Sequence, residues 1–100
     1  MHIKLPKGTS VYVFGSYLNT DFPNDLDILC LYNPYSCHPK YVFKKYQSMI
    51  KYLESFSGLK VDITFLTYKE EIESGFLAMS NAVPVVKCKK LAGIQWINKK

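Results

Sequence analysis

With 100 residues, the chain is long enough for one domain built on a single core and too short for that core plus a separate acceptor-binding domain, so residues 1–100 are expected to fold as one unit. Apolar residues make up 48 % of it and aromatic residues 15 %, which excludes a disordered segment, and no apolar run is of membrane-spanning length. The net charge of +5 comes from 13 lysines without a single arginine; such a chain attracts polyphosphate or nucleic acid but lacks the bidentate fork that clamps phosphate or reads guanine, which disfavours a basic nucleic-acid-binding module.

In chain order, Val11-Tyr12-Val13-Phe14 has the β-branched and aromatic content of a short strand. Gly15-Ser16-Tyr17 follows as a turn. After a polar loop, Leu26 to Tyr32 reads as a nearly continuous apolar strand of the kind buried on both faces. Asn33 to His38 closes that strand as a loop, and Pro39 can open the next helix. Val42, Tyr46, Met49, Leu53 and Phe56 then recur at helical spacing as far as Gly58, with Lys40, Lys44 and Lys51 opposite them. Val61 to Leu66 alternates as a strand. Thr67 and Glu70 have capping-box spacing and start a helix that carries Ile72, Phe76 and Met79 on one face and ends near Asn81. Val83 to Val86 is a short strand or extended piece whose proline suits a sheet edge. The tail from Lys87 to Lys100, which holds Trp96, is a helix or an extended arm. These elements predict an α/β (α+β) fold, a small mixed β-sheet with helices packed on it.

The chemistry is concentrated in the aspartates. Successive side chains on a strand point to opposite faces, so Asp25 and Asp27 project together while Leu26 and Ile28 go to the other side. Asp62 is the only charge in Val61-Asp62-Ile63-Thr64-Phe65-Leu66, and an unpaired carboxylate inside an apolar strand is costly. If the two strands are neighbours, three carboxylates converge. Such oxygen-rich clusters suit Mg²⁺ or Mn²⁺, held together with waters and substrate phosphates. The plainer readings are a strand-to-helix turn at Gly15-Ser16, a turn cap at Asp25 and an ion pair of Asp62 with Lys60; Asp27, past the turn and between Leu26 and Ile28, fits none of them. His2 and His38 read as loop histidines. Tyr17, Phe22, Tyr32 and Tyr35 are candidate nucleobase-stacking rings, although in so aromatic a chain most rings belong to the core.

Gly15-Ser16, eight intervening residues, Asp25-x-Asp27, then a helix and a strand bearing Asp62 resemble the nucleotidyltransferase superfamily of DNA polymerase β type, and within it the minimal nucleotidyltransferases of bacteria and archaea. The resemblance runs from about Val11 to Leu66, and more loosely to Cys88. It implies that Asp25 and Asp27 ligate two metal ions, that Asp62 ligates the catalytic one and helps activate the acceptor hydroxyl, and that Gly15 and Ser16 hold the triphosphate. It implies in-line attack of a hydroxyl on the α-phosphorus of ATP or another nucleoside triphosphate, with release of pyrophosphate. Family members often carry Arg-Gly soon after Gly-Ser-Tyr and a serine just before the aspartate pair; here Leu18-Asn19 and Asn24 stand in those places.

The resemblance further implies an acceptor brought by another chain, since single-domain members are often encoded beside a HEPN-type ribonuclease toxin that they adenylylate on tyrosine as antitoxins. A homo-oligomer is the other arrangement that supplies a second surface. The alternative function is a non-catalytic nucleotide-binding or protein-interaction module in which the loop from Leu18 to Asn24 does not position triphosphate. Cys30, Cys37 and Cys88 are odd in number, widely spaced and without Cys-x-x-Cys, which fits a reducing compartment, and the opening Met1-His2-Ile3-Lys4-Leu5-Pro6 lacks a signal-peptide core. The expected localisation is cytoplasmic.

Overall fold

The alternating runs pair into a mixed sheet in the computed structural model, which describes residues 2–5, 8–36 and 39–98. The elements are β1 (His2–Leu5), β2 (Thr9–Phe14), α1 (Ser16–Asn19), β3 (Asp25–Tyr32), α2 (Pro39–Ser57), β4 (Lys60–Thr67), α3 (Tyr68–Ser74), α4 (Phe76–Ser80), β5 (Val83–Pro84) and β6 (Gln95–Asn98), with 3-10 turns at Val85–Lys87 and Lys89–Leu91. The main sheet has the order β4-β3-β2-β5. Strands β3 and β4 are parallel, and β2 is antiparallel to both β3 and β5. Parallel neighbours need a crossover, and α2 supplies it.

One face of the sheet carries Val11 and Val13 of β2, Leu26, Ile28 and Cys30 of β3, and Val61 of β4, all buried. Helix α2 contributes Tyr46, Met49 and Leu53 to the same core, as its 3.6-residue spacing requires. Gly58, at φ 72°, then stops the helix. The other face carries Leu29 and Leu31, which are as deeply buried as the first set. Their cover is α3, which contacts both β3 and β4, while Phe76 at the start of α4 packs edge-on against Phe14 with ring centroids 5.1 Å apart. This accounts for the unbroken apolar run in β3: it is buried on two sides by different helices.

The capping box forms as its spacing predicts. Thr67 Oγ1 accepts from the Glu70 amide at 3.1 Å, and Glu70 Oε1 accepts from the Thr67 amide at 2.9 Å. The single helix expected after it is broken, however. Gly75 adopts φ 66°, ψ 27°, a left-handed conformation that ends α3 and restarts the chain as α4, and Asn81 closes α4 in the same region of backbone space. The break separates the expected apolar stripe: Phe76 is packed, whereas Ile72 and Met79 are 81 % and 80 % exposed. On α2, Phe56 is also partly exposed rather than core, and the side chains of Lys40 and Val42 lie outside the described residues.

Residues 83–86 split into the two-residue edge strand β5, paired with Tyr12 and Val13, and the first 3-10 turn. The tail is neither of the expected forms alone. It makes a second 3-10 turn and then β6, which pairs in parallel with β1, Ile3 opposite Trp96. Strand β1 has no counterpart among the expected elements. Cys30 and Cys88 are buried and form no disulfide; Cys37 and His38 lie outside the described residues. No helix among the described residues is long and apolar enough to cross a membrane.

Thr67→Ala removes the side-chain half of the capping box while leaving the Glu70 half in place. The expected cost is about 1 kcal/mol of unfolding free energy, read as a lower urea midpoint with an unchanged slope.

Candidate active site

The sheet register brings the aspartates together. In the parallel ladder Asp27 stands opposite Asp62 and Asp25 opposite Lys60, so all three carboxylates share the face that carries Leu29 and Leu31. They lie at the end of β3 and β4 that α3 leaves uncovered; Asp25 and Asp27 are half-buried and Asp62 is exposed. In the antiparallel ladder Phe14 stands opposite Asp27, so the next residue, Gly15, comes down on the Asp27 side chain. A Cβ on Gly15 would overlap Asp27 Oδ2 and sit 3.3 Å from its Cγ. The backbone there, φ 79° and ψ −157°, belongs to a region essentially reserved for glycine. Glycine at 15 is therefore required twice, by backbone conformation and by close approach to Asp27. Ser16, exposed, is the first residue of α1.

Three like charges on adjacent strand positions are unfavourable without a counter-ion. Burial pushes the Asp27 carboxyl above the usual carboxylate range, and the charges of Asp62 and Asp25 push it further in the same direction. Asp62 does stand on an edge strand, but among the described residues no ion pair joins it to Lys60. Among those residues, too, no three His, Cys, Asp or Glu side chains are already gathered closely enough to hold a metal ion. The donor chemistry nevertheless fits a divalent cation. The set is hard oxygen only, it shares one sheet face, and its central member is destabilised by the other two charges. Closure around a cation requires the cation's own charge to overcome that repulsion.

Two open depressions flank α1. One, of about 530 Å³, lies between loop residues Asp21 to Asn24 and Ser57 and Leu59 at the end of α2. The other, of about 460 Å³, lies between Leu18 and Asn19 on one side and Asn81, Val83 and Lys87 on the other. The carboxylates line neither. Of the rings considered as stacking platforms, Tyr17 and Tyr32 are buried in the core, whereas Phe22 and Tyr35 are 89 % and 97 % exposed, and Tyr17 and Phe22 both border the first depression. Lys90 separates the two depressions, and its ammonium donates to the Tyr17 and Thr20 carbonyls. Nothing in the local sequence marks it, because its partners are backbone oxygens more than sixty residues away.

Two stability measurements test this geometry. Because the folded-state pKa of Asp27 is raised, the native state holds its proton more tightly than the unfolded chain does, and ionisation costs stability as pH rises from the ordinary aspartate value of about 3.9 through the raised one. In EDTA, Asp27→Asn is therefore expected to raise Tm at pH 7, and the gain should shrink as pH falls towards about 4. Gly15→Ala is expected to lose at least about 1–3 kcal/mol from backbone strain alone, with the Asp27 overlap added to it, as measured by chemical denaturation.

A family profile described as Nucleotidyltransferase domain matches residues 3–88, which include Gly15, Ser16 and all three aspartates. No curated protein and no solved structure matches the chain at a significant level. A match over that much of its length, on a sheet that sets an aspartate pair beside a third aspartate and a close-approach glycine, identifies the chain as a member of the nucleotidyltransferase domain family.

Proposed function

We propose that the protein transfers a nucleoside monophosphate, AMP from ATP, to a hydroxyl on a partner protein, with Asp25, Asp27 and Asp62 as metal ligands and Gly15 and Ser16 as the triphosphate contact. The observation that carries this reading is the row formed by Gly15, Asp27 and Asp62 across β2, β3 and β4. The reading takes the turn as the phosphate contact and the adjacent carboxylates, all hard oxygen donors, as the cation ligands.

Asp25, Asp27 and Asp62 would hold two Mg²⁺ or Mn²⁺ ions, which when bound lower the pKa of the acceptor hydroxyl and neutralise the charge of the leaving pyrophosphate. The protein's own contribution is placement. Backbone amides of the turn after Gly15 would donate to phosphate oxygens, and the exposed Ser16 hydroxyl would add a donor. Asp62, the most accessible of the three carboxylates, would help activate the acceptor hydroxyl. The acceptor oxygen bonds to the α-phosphorus as the bond from that phosphorus to the β-phosphate bridging oxygen breaks, and pyrophosphate carries away the electron pair.

The acceptor side is supported by what the sheet leaves open. Phe76 at the start of α4 packs on Phe14, which stands opposite Asp27, while Asp25 and Asp27 stay partly accessible and Asp62 on the outer strand β4 is exposed. An incoming protein hydroxyl has direct access there. A tyrosine of a HEPN-type toxin is the acceptor class we propose, which makes the chain an antitoxin acting in the cytoplasm; a second copy of the chain is the alternative docking partner. A second reading, a non-catalytic nucleotide-binding module, is favoured by one observation: no three ligand side chains are pre-gathered among the described residues.

The two readings differ in a labelling experiment. Radiolabelled ATP, Mg²⁺, the protein and its HEPN-type partner are expected to give label on a partner tyrosine, and Asp62→Ala should reduce the rate by at least about a hundredfold without dissociating the complex. Binding of Mg²⁺ and ATP with no added nucleotide mass on the partner would leave the binding module as the function. In thermal melts, Mg²⁺ with ATP at about a hundred times its Kd should add about 2.7 kcal/mol of stability, and Asp25→Asn with Asp27→Asn should abolish that gain.

A further inference from the structure

We propose that Lys90 is a positioning residue for nucleotide binding, whose ammonium fixes the turn that carries Gly15 and Ser16 against the core. The inference rests on the transferase reading above and adds to it a residue that lies beyond the family match at 3–88.

Residues 15–24 link the phosphate turn to the first carboxylate, and little within the segment holds it in place. Helix α1 is a single turn, too short to be stable by itself. Its hydrogen bonds are local: the Leu18 amide to the Gly15 carbonyl at 3.2 Å, the Thr20 amide to the Ser16 carbonyl at 3.0 Å, and Asn19 Nδ2 to the Gly15 carbonyl at 3.1 Å. From Asn19 to Asn24 every residue is exposed except Pro23, which is half-buried. The turn also begins at Gly15, in a backbone conformation that does not propagate a helix.

Among the described residues, the side-chain hydrogen bonds that reach this segment from elsewhere in the chain come from Lys90. Its Nζ donates to the Tyr17 carbonyl at 2.5 Å and to the Thr20 carbonyl at 2.7 Å, and lies 4.9 Å from the centre of the Tyr17 ring. These carbonyls are at the C-terminal end of the turn, where unpaired oxygens and partial negative charge favour a cation. The other end of the tie is firm. Lys90 lies between Cys88 and Leu91, which are 5 % and 1 % exposed, so its backbone moves with the core. The buried Tyr17 ring anchors the middle of the turn; Lys90 anchors its exit, at the point where the exposed loop begins. Because the contact is made through backbone carbonyls, it sets where the turn sits and leaves the Ser16 hydroxyl and the nearby amides to the ligand.

Contacts of the turn with triphosphate are made before and during the reaction alike, so misplacing it weakens ground-state and transition-state binding together. Lys90→Met is expected to raise the ATP KM, and the Kd of a non-hydrolysable ATP analogue with Mg²⁺, by about tenfold with kcat within about twofold. Lys90→Arg, whose guanidinium can donate to both carbonyls, should restore both to within about threefold. Hydrogen exchange should quicken at amides 17–21 in Lys90→Met, with β3 and β4 amides unchanged. Lys89→Met, which removes the same charge from the neighbouring exposed position, should change none of these.

An unchanged analogue Kd in Lys90→Met, or unchanged exchange at residues 17–21, overturns the proposal. So does an equal loss of affinity in Lys89→Met, which would assign the effect to general electrostatics, or a fall in kcat at constant KM with faster exchange throughout the sheet, which would assign it to folding. The wild-type measurement separates the two levels of inference: wild type that binds no nucleotide removes the transferase reading, whereas wild type that binds while Lys90→Met binds equally well removes only the role of Lys90.

Discussion

The parallel pairing of β3 with β4 is the constraint on which the site depends, because it sets Asp27 opposite Asp62. The pairing is dictated from the opposite face. Leu26 and Ile28 stand opposite Val61 and Ile63 and pack towards α2; a slip of one residue would turn either strand's apolar set outward and scatter the carboxylates. The core thus supplies the free energy that holds like charges together. The raised pKa of Asp27 reflects its burial first and that like-charge opposition second. Burial in the core favours this arrangement of the strands, while repulsion at their open end works against it.

The same logic explains what could be read in advance. The strands and α2 were legible because period-two and period-3.6 apolar patterns survive in the sequence, and Asp27 and Asp62 stood out because each interrupts such a pattern. That they meet was only conditional, since alternation gives a side chain's face but not its neighbour. Strand β1 was missed for a related reason: its partner β6 lies at the other end of the chain, and four residues such as His2–Leu5 carry too little pattern to announce a pairing across that separation. The break at Gly75 was missed because a glycine inside a helical pattern is compatible with continuation, and only the left-handed backbone distinguishes a stop. Lys90 was illegible in principle. Its partners are the carbonyls of Tyr17 and Thr20, and a backbone oxygen has no letter in the sequence.

The two faces of the sheet divide the labour. One is closed by α2 and holds the larger core; the other is closed by α3 and the start of α4 over Leu29, Leu31 and Phe14 and then left open at the aspartates. Gly75 matters here, because a continuous helix would keep the direction that α3 has over β3 and β4, whereas the left-handed residue re-aims α4 so that Phe76 reaches Phe14, beside the carboxylate row. Ile72 and Met79, one on each side of that turn, are left exposed.

The candidate site is built within a short stretch of the sheet. Gly15, Ser16 and the three aspartates occupy one end of the sheet, and the segment between them, from Tyr17 to Asn24, is short and largely exposed. One lysine on a 3-10 turn donates to two backbone carbonyls of this segment. The absence of arginine gives that contact a physical consequence. A lysine ammonium has three donors on a flexible stem, which suits two diverging carbonyls better than it suits the planar fork of a phosphate clamp, so the basic residue at this position contributes to the architecture of the turn.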